Sequence, residues 1–441
     1  MVRLRSFIRI NHKMMHTLHL SGFKRRSISI RQILKRQATV YCLFGFFMVS
    51  VITTCLTPCL AKDATPLKVF LLVGQSNMQG HAHIRTFEHI AMDPETLPLL
   101  SEMQDEEKQP RVCDKVWISY LSNSGVKQGR LSVGFGASDE KIGPEYTFGI
   151  YMQKHLEEPI LMIKTAWGGK SLHTDFRSPS AGPYLFTEQQ KEGFAKQGKD
   201  FKQIKAERAR MTGFHYRLMI GHVKSVLQDI KDVYPGYNEQ CGYELAGMVW
   251  FQGWNDMVDR GVYPRRDQSG GYDHYSDALG HFIRDVRRDL STPDLPFVIG
   301  VIGVGGPVEH YGAAQKRYAG IHQYFRSAMA APAKWAEFKG NVSSVLTEKY
   351  WDMELTALRT RDAELNRKMK ELVSNGNLQK KEQQSMREKL RAEMFTSREL
   401  ETMEKGVSNQ EYHYLGSAKI MAKIGRGFAE SMAELMGPSS K

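Results

Sequence analysis

Residues 67–78 read Leu67-Lys68-Val69-Phe70-Leu71-Leu72-Val73-Gly74-Gln75-Ser76-Asn77-Met78. The first seven form an almost continuous apolar run, the pattern of a strand buried on both faces of a parallel sheet. The run stops at a glycine and a polar turn that carries a serine. Three more runs end in a similar way. Residues 159–164 (PILMIK) lead into Thr165-Ala166-Trp167-Gly168-Gly169, and 245–251 (LAGMVWF) into Gln252-Gly253-Trp254-Asn255-Asp256. Residues 296–304 (PFVIGVIGV) lead into Gly305-Gly306. Between them, apolar residues recur at helical spacing over 147–156, 216–233 and 275–290. Strands alternating with helices predict the α/β class, with a central parallel sheet covered on both faces. Sites in such sheets gather beyond the carboxyl ends of the strands. The polar, glycine-bearing strand ends therefore point to an enzyme, although such turns also occur in α/β proteins of any function.

The formal charge of +13 over 441 residues resembles a nucleic-acid signature until it is mapped. Residues 1–61 hold ten basic residues, from Arg3 to Arg36, and no acidic one; removing them leaves +3 for residues 62–441. The balanced body argues against nucleic acid as a partner. The basic segment leads into the uncharged stretch Tyr41–Leu60 and small residues near Ala61, the pattern of a secretory signal. About 20 apolar residues can also span a bilayer, so the alternative is an uncleaved anchor, the one case that would make a membrane a partner. The expectation is a secreted or periplasmic protein. Cys42, Cys55 and Cys59 lie in this leader, which leaves Cys113 and Cys241, a pair that export permits but does not require to bond.

Residues 351–405 are dense in Lys, Arg, Glu and Met around a turn signal at Asn375-Gly376-Asn377. Leu355, Leu358, Leu365, Met369 and Leu372 make a broken stripe, which predicts a charged helical hairpin inserted into the domain. It reads as a solvated arm or as an oligomerisation or lid element. The expected organisation is a leader over 1–61, one domain over 62–350 and 406–441, and the insertion between. Helical spacing resumes over 414–436.

Ser76 directly follows a buried strand. A serine there sits at the sheet edge, where backbone N–H groups of a helix start can face an oxyanion. The α/β-hydrolase elbow needs G-x-S-x-G, and Met78 fills its last place, which disfavours that fold. Serine is also a common helix N-cap, so locally both readings stand.

The block Gly74-Gln75-Ser76-Asn77-Met78 resembles the first block of the SGNH hydrolases, and more narrowly the sialate O-acetylesterase and acetylxylan esterase type (carbohydrate esterase family six). Gly143-Pro144-Glu145, 166–171 (AWGGKS), 250–253 (WFQG) and 413–417 (HYLGS) follow in that family's order. The likeness spans roughly 66–350 and 408–432. It implies an SGNH-type, flavodoxin-like three-layer α/β/α sandwich carrying the insertion.

The resemblance also implies roles. Ser76 is the nucleophile and its N–H an oxyanion donor, with Gly168 or Gly169 beside it. Gln252 adds a side-chain donor, and Asn255 is its rival, because Gly253-Trp254-Asn255-Asp256 also reads as the G-x-N-D block of the wider superfamily. His413 is the general base and begins the last helix. Gln75, Asn77, Glu145 and Trp167 fall on the substrate side. Two departures stand out. Trp254 occupies the glutamate place of Q-G-E-x-D, and Gln410 the acid place of D-x-x-H. The group that orients His413 is then Asp256, Glu411, a remote Glu145, or a backbone carbonyl that would leave a Ser-His dyad. Asp256 reads equally as a turn carboxylate.

The expected activity is removal of O-acetyl groups from acetylated carbohydrates through an acyl-enzyme. Serine and histidine need no cofactor for this, and the histidines lack metal-ligand spacing. The rivals are a carbohydrate-binding or surface-assembly protein that keeps the fold without the chemistry, and a membrane-tethered structural protein that associates through 351–405; with either activity, 351–405 could join copies of the chain into a homo-oligomer.

Overall fold

The computed structural model describes residues 65–376 and 379–437, so the expected leader and its apolar stretch lie outside the described residues. Seven strands form one sheet: β1 (Leu67–Gly74), β2 (Val116–Ser122), β3 (Gly125–Arg130), β4 (Ile160–Ala166), β5 (Tyr243–Phe251), β6 (Phe297–Val301) and β7 (Val342–Leu346). Their order is β3-β2-β4-β1-β5-β6-β7. Every neighbouring pair is parallel except the β2–β3 ribbon. Without that ribbon, the strands follow the 2-1-3-4-5 order of flavodoxin-like sheets, whose ligand crevice opens at the switch point between the first and third strands. Here those strands are β1 and β5.

The four expected strands are β1, β4, β5 and β6. The three unexpected ones all lie towards the sheet's edges. β7 holds two half-exposed serines, and β3 is almost wholly exposed, so neither shows the apolar run that betrays a buried strand.

Two adjacent residues of β5 show the layering, because successive side chains of a strand point to opposite faces. Trp250 packs on Phe282 of the helix Asp273–Asp289, and Phe282 meets Tyr216 of the helix Phe214–Gln228. Phe251 packs on Phe428 of the final helix, Ala418–Met436. That helix also packs against Glu145–His155. The result is the expected α/β/α sandwich. Gly74 is required where β1 ends: a Cβ there would lie 2.1 Å from the Phe251 carbonyl oxygen and 2.8 Å from Met78 Cβ. The polar turns after β1 and β5 can approach each other only because that side chain is missing.

Among the described residues, the segment expected as a helical-hairpin insertion holds three helices: Met353–Gly376, Lys380–Met394 and Ser397–Gly406. Leu358, Leu365, Met369 and Phe395 form a small core of their own, Leu355 joins the main core, and Leu372 is exposed. Thr396 starts the third helix with a capping box to Glu399, and Lys405 near its end pairs with Glu88 of the main body at 2.7 Å. Among the described residues, Cys113 and Cys241 form no disulfide. Among the described residues, no helix is long and apolar enough to cross a membrane.

Candidate active site

β1 delivers Ser76 to the switch point. The chain leaves Gly74, passes Gln75 in an extended conformation and makes a single helical turn, Ser76–Gln79. Gln75 holds the N-cap position, so Ser76 does not serve as a cap. Ser76 is 8% exposed, and its hydroxyl makes no hydrogen bond to another described residue. At the other end of this turn, Lys164 Nζ donates to the Gln79 carbonyl at 3.0 Å, to the Phe135 carbonyl at 2.6 Å and to Glu145 Oε2 at 2.7 Å. Glu145 Oε1 accepts the Gly143 N–H at 2.8 Å. Both charged side chains are fully buried. Burial pushes the Glu145 carboxyl up and the Lys164 amine down, and each partner's charge opposes the shift. Glu145 is therefore a brace under the Ser76 turn rather than the expected substrate contact or orienting acid.

Gln75 is a clamp between the two switch-point turns. Its Oε1 accepts the Gly253 N–H at 3.0 Å and the Asn255 N–H at 3.3 Å. A backbone N–H can only donate, which fixes that atom as oxygen and the other as the amide nitrogen. Gln75 Nε2 then donates to Asn255 Oδ1 at 3.1 Å. Asn255 is held by its oxygen, and its Nδ2 has no partner among the described residues.

Gln252 has no such freedom. Its Nε2 donates to Gln75 Oε1, the Lys170 carbonyl and Asp256 Oδ2, and its Oε1 accepts from Tyr275. Of the two rival donors, Asn255 is the one with an N–H to spare. After β4, the N–H groups of Gly168 and Gly169 also lack partners among the described residues, and Gly169 has φ +73° with open space around it.

Asp256 is fully buried. It accepts from Leu172 N at 2.8 Å, His173 N at 3.1 Å, Gln252 Nε2 at 2.6 Å and Tyr263 Oη at 3.1 Å. Burial pushes its carboxyl up despite these donors. Its oxygens are occupied in tying the β4 loop to the β5 loop, and it does not touch His413. The expected His413–Asp256 pair is absent. Glu411, the other expected acid, accepts from Gln315 Nε2 at 3.1 Å and does not touch the imidazole either.

His413 lies in the irregular turn Glu411–Gly416, ahead of the last helix rather than at its start. This turn packs against the Ser76 turn. No hydrogen bond joins His413 to Ser76, and such catalytic bonds often close only with substrate present. His413 Nδ1 lies 3.0 Å from Asn409 Oδ1. Its ring stacks on His81, centroids 3.9 Å apart. Burial first and Lys141 second push His413 down to about 4. Tyr414 and Leu415 follow in the left-handed region, φ +53° and +60°. Tyr414 is fully buried, and its hydroxyl bonds Gly303 N at 2.8 Å and Thr347 Oγ1 at 2.6 Å. Those bonds hold a costly backbone conformation.

Two further expected contacts are core residues. Trp167 is 2% exposed and packs on Phe176 and His215. Asn77 is buried, with both amide atoms unpartnered among the described residues. Beside the His413 turn lies a cavity of about 520 Å³, lined among others by Trp254, Arg260, Arg266, Tyr311, His322 and Tyr412. Trp254 and Tyr412 are ring neighbours at 5.9 Å.

Sequence reasoning passed over Asn409, His81, Lys164 and Tyr414. Asn409 stands one residue before the expected D-x-x-H acid place, a usable signal.

Residues 66–331 match the family model described as carbohydrate esterase, sialic acid-specific acetylesterase, over more than half of the chain. The chain belongs to that family. In this carbohydrate esterase, the matched span holds Ser76, the glycines after β4 and the Gln252–Asp256 turn, while His413 lies beyond it. Among solved structures, an Arabidopsis thaliana protein is 17% identical with TM-score 0.33, over 64% of this chain and 86% of that one. A carbohydrate acetylesterase from Xanthomonas citri is 13% identical with TM-score 0.34, over 63% of this chain and 49% of that one. No curated protein matches the esterase.

Proposed function

We propose that this carbohydrate esterase removes O-acetyl groups from acetylated sugars, with Ser76 as nucleophile and His413 as general base. The observation that carries the reading is the uncapped Ser76 hydroxyl at the β1–β5 switch point, on a turn packed against the turn of His413. Ser76 Oγ attacks the acetyl carbonyl carbon as its proton passes to His413 Nε2. The tetrahedral oxyanion is met by the N–H groups of Ser76 and Gly168 or Gly169 and by Asn255 Nδ2. Its collapse breaks the bond to the sugar oxygen, which takes the proton from His413. Water then gives a proton to His413 as its oxygen attacks the acetyl-serine, and collapse breaks the bond to Ser76 Oγ, which takes that proton back as the acetyl group leaves as acetic acid and ionises to acetate.

The cavity beside His413 accommodates the sugar. Trp254 and Tyr412 offer ring faces, and Arg260 and Arg266 offer positive charge. Glu411 lines the same cavity, so the two arginines leave it one positive charge in excess, which suits a sugar bearing a carboxylate and is in keeping with the sialic acid specificity in the family's description. Acetate release by wild type and Ser76→Ala tests the reading; an active Ser76→Ala protein refutes it. We also propose export, supported by the basic and apolar residues before Ala61. Mature protein starting near residue 62 is the expected result, and a secreted-fraction protein that retains Met1 would contradict cleavage.

A further inference from the structure

We propose that Asn409 is a positioning residue for the acyl transfer, fixing the His413 tautomer that leaves Nε2 free as the base for Ser76; this role rests on the esterase reading above. Asn409 Oδ1 accepts the Gln410 N–H at 2.7 Å and lies 3.0 Å from His413 Nδ1. The Gln410 N–H can only donate, so the amide atom facing it is the oxygen. An amide oxygen can only accept, so His413 Nδ1 must carry a hydrogen. A neutral imidazole has one N–H, and Nε2 is left with its lone pair. In most sites of this chemistry a carboxylate fixes the tautomer. Here both expected acids are committed elsewhere, Asp256 to four donors and Glu411 to Gln315.

The turn that carries Asn409 is closed on itself. The N–H groups of Ser408 and Asn409 both donate to the Leu415 carbonyl at 2.9 Å, and the Leu415 N–H returns to the Gln410 carbonyl at 3.1 Å. Ser408 Oγ donates to the Gly416 carbonyl at 2.6 Å. Asn409 is thus rigid enough to orient a ring. A neutral amide orients an imidazole but lends no negative charge to the imidazolium formed during reaction.

The other charged groups around His413 do not supply that charge. His81 stacks on its face, and Lys141 is the cation it feels. On the neighbouring short strand, His83 is engaged with Glu140 at 3.2 Å. On the final helix, Lys419 is paired with Asp93 and Asp352. Among the described residues, no carboxylate touches the His413 ring. A weak base works from acid pH upward, and a carboxylate at position 409 converts it into a stronger base with a higher working range.

The test compares Asn409→Leu and Asn409→Asp for kcat, KM and pH profile on a soluble acetyl ester, with ¹⁵N NMR of the imidazoles. Asn409→Asp keeps the acceptor for the Gln410 N–H and so preserves the turn if Asn409→Leu disturbs it. Asn409→Leu is expected to lower kcat about tenfold or more, with KM within about twofold, because the ring loses its tautomer and aim. Its ¹⁵N spectrum should show mixed tautomers where the wild type shows Nδ1–H alone. Asn409→Asp should raise the acid limb of kcat/KM by about one pH unit or more. Unchanged kcat in Asn409→Leu, or an unmoved acid limb in Asn409→Asp, overturns this role while a fluorophosphonate still labels Ser76 of the wild type. A wild type that takes no label at Ser76 overturns the esterase reading, and this role with it.

Discussion

The imidazole rings of His413 and His81 lie face to face, centroids 3.9 Å apart and planes 3° from parallel. Burial first, then His413, Lys141 and Lys164, push His81 down to about 3. His81 is therefore neutral where His413 is unprotonated, and the two rings stack there without charge repulsion. Its Nδ1 is buried without a hydrogen-bond partner among the described residues, so its contribution here is the ring face. His81→Phe should keep most activity. His81→Ala should lower kcat by about tenfold or more, since small displacements of a catalytic group cost heavily. Equal kcat for the two variants would show that the stack does not hold the base.

With His413 as the proposed base, its surroundings set the expected pH profile. Its conjugate acid is pushed down to about 4 by burial and then by Lys141. A general base acts unprotonated, so kcat/KM should climb with pH through about 4 and level off above it. Lys141→Met removes the cation and should move that midpoint upward. A wild-type midpoint near the ordinary 6.5 would contradict the buried setting of the ring.

The amide network separates two neighbouring residues. Asn255→Ala removes a donor held ready by Gln75, and kcat should fall by about 10²–10³ with the fold intact. Gln252→Ala breaks a buried amide with four partners. It should lower stability by about 1–3 kcal/mol, measured by urea unfolding. A Gln252→Ala protein of full stability, or an Asn255→Ala protein of full activity, would reverse the assignment.

The brace beneath Ser76 predicts a stability pattern. Glu145→Gln alone or Lys164→Met alone leaves an uncompensated buried charge and should cost about 3–5 kcal/mol in unfolding measurements. The double variant Glu145→Gln with Lys164→Met should recover much of that loss. Additive losses would mean that the two groups act independently.

The sequence carried the sheet's centre and much less of its margins. β1, β4, β5 and β6 were legible because a strand buried on both faces must be apolar throughout. β7, with Ser343 and Ser344 half-exposed, and the exposed β3 carry no such constraint. Ser76, Gly168, Gly169 and Asn255 lie just past the carboxyl ends of β1, β4 and β5, where the glycine-bearing strand ends place them. Burial misled the rest. Gln75, Asn77, Glu145, Trp167 and Asp256 belong to recognisable blocks, yet they are interior residues that shape the crevice. Whether a polar residue in a motif faces a ligand or a neighbouring backbone depends on loops brought together from distant parts of the chain. The 3.1 Å bond from Gln75 to Asn255, 180 residues away, is one such case.

Every activity prediction above rests on Ser76 as the proposed esterase nucleophile. The most direct measurement is acetate release from an O-acetylated sugar by wild type and Ser76→Ala, with fluorophosphonate labelling mapped by peptide mass. Wild type should release acetate and carry the label on Ser76, and Ser76→Ala should be inactive and unlabelled with an unchanged fold. Acetate release by Ser76→Ala at a rate near wild type, or no release and no label in wild type, would contradict that role.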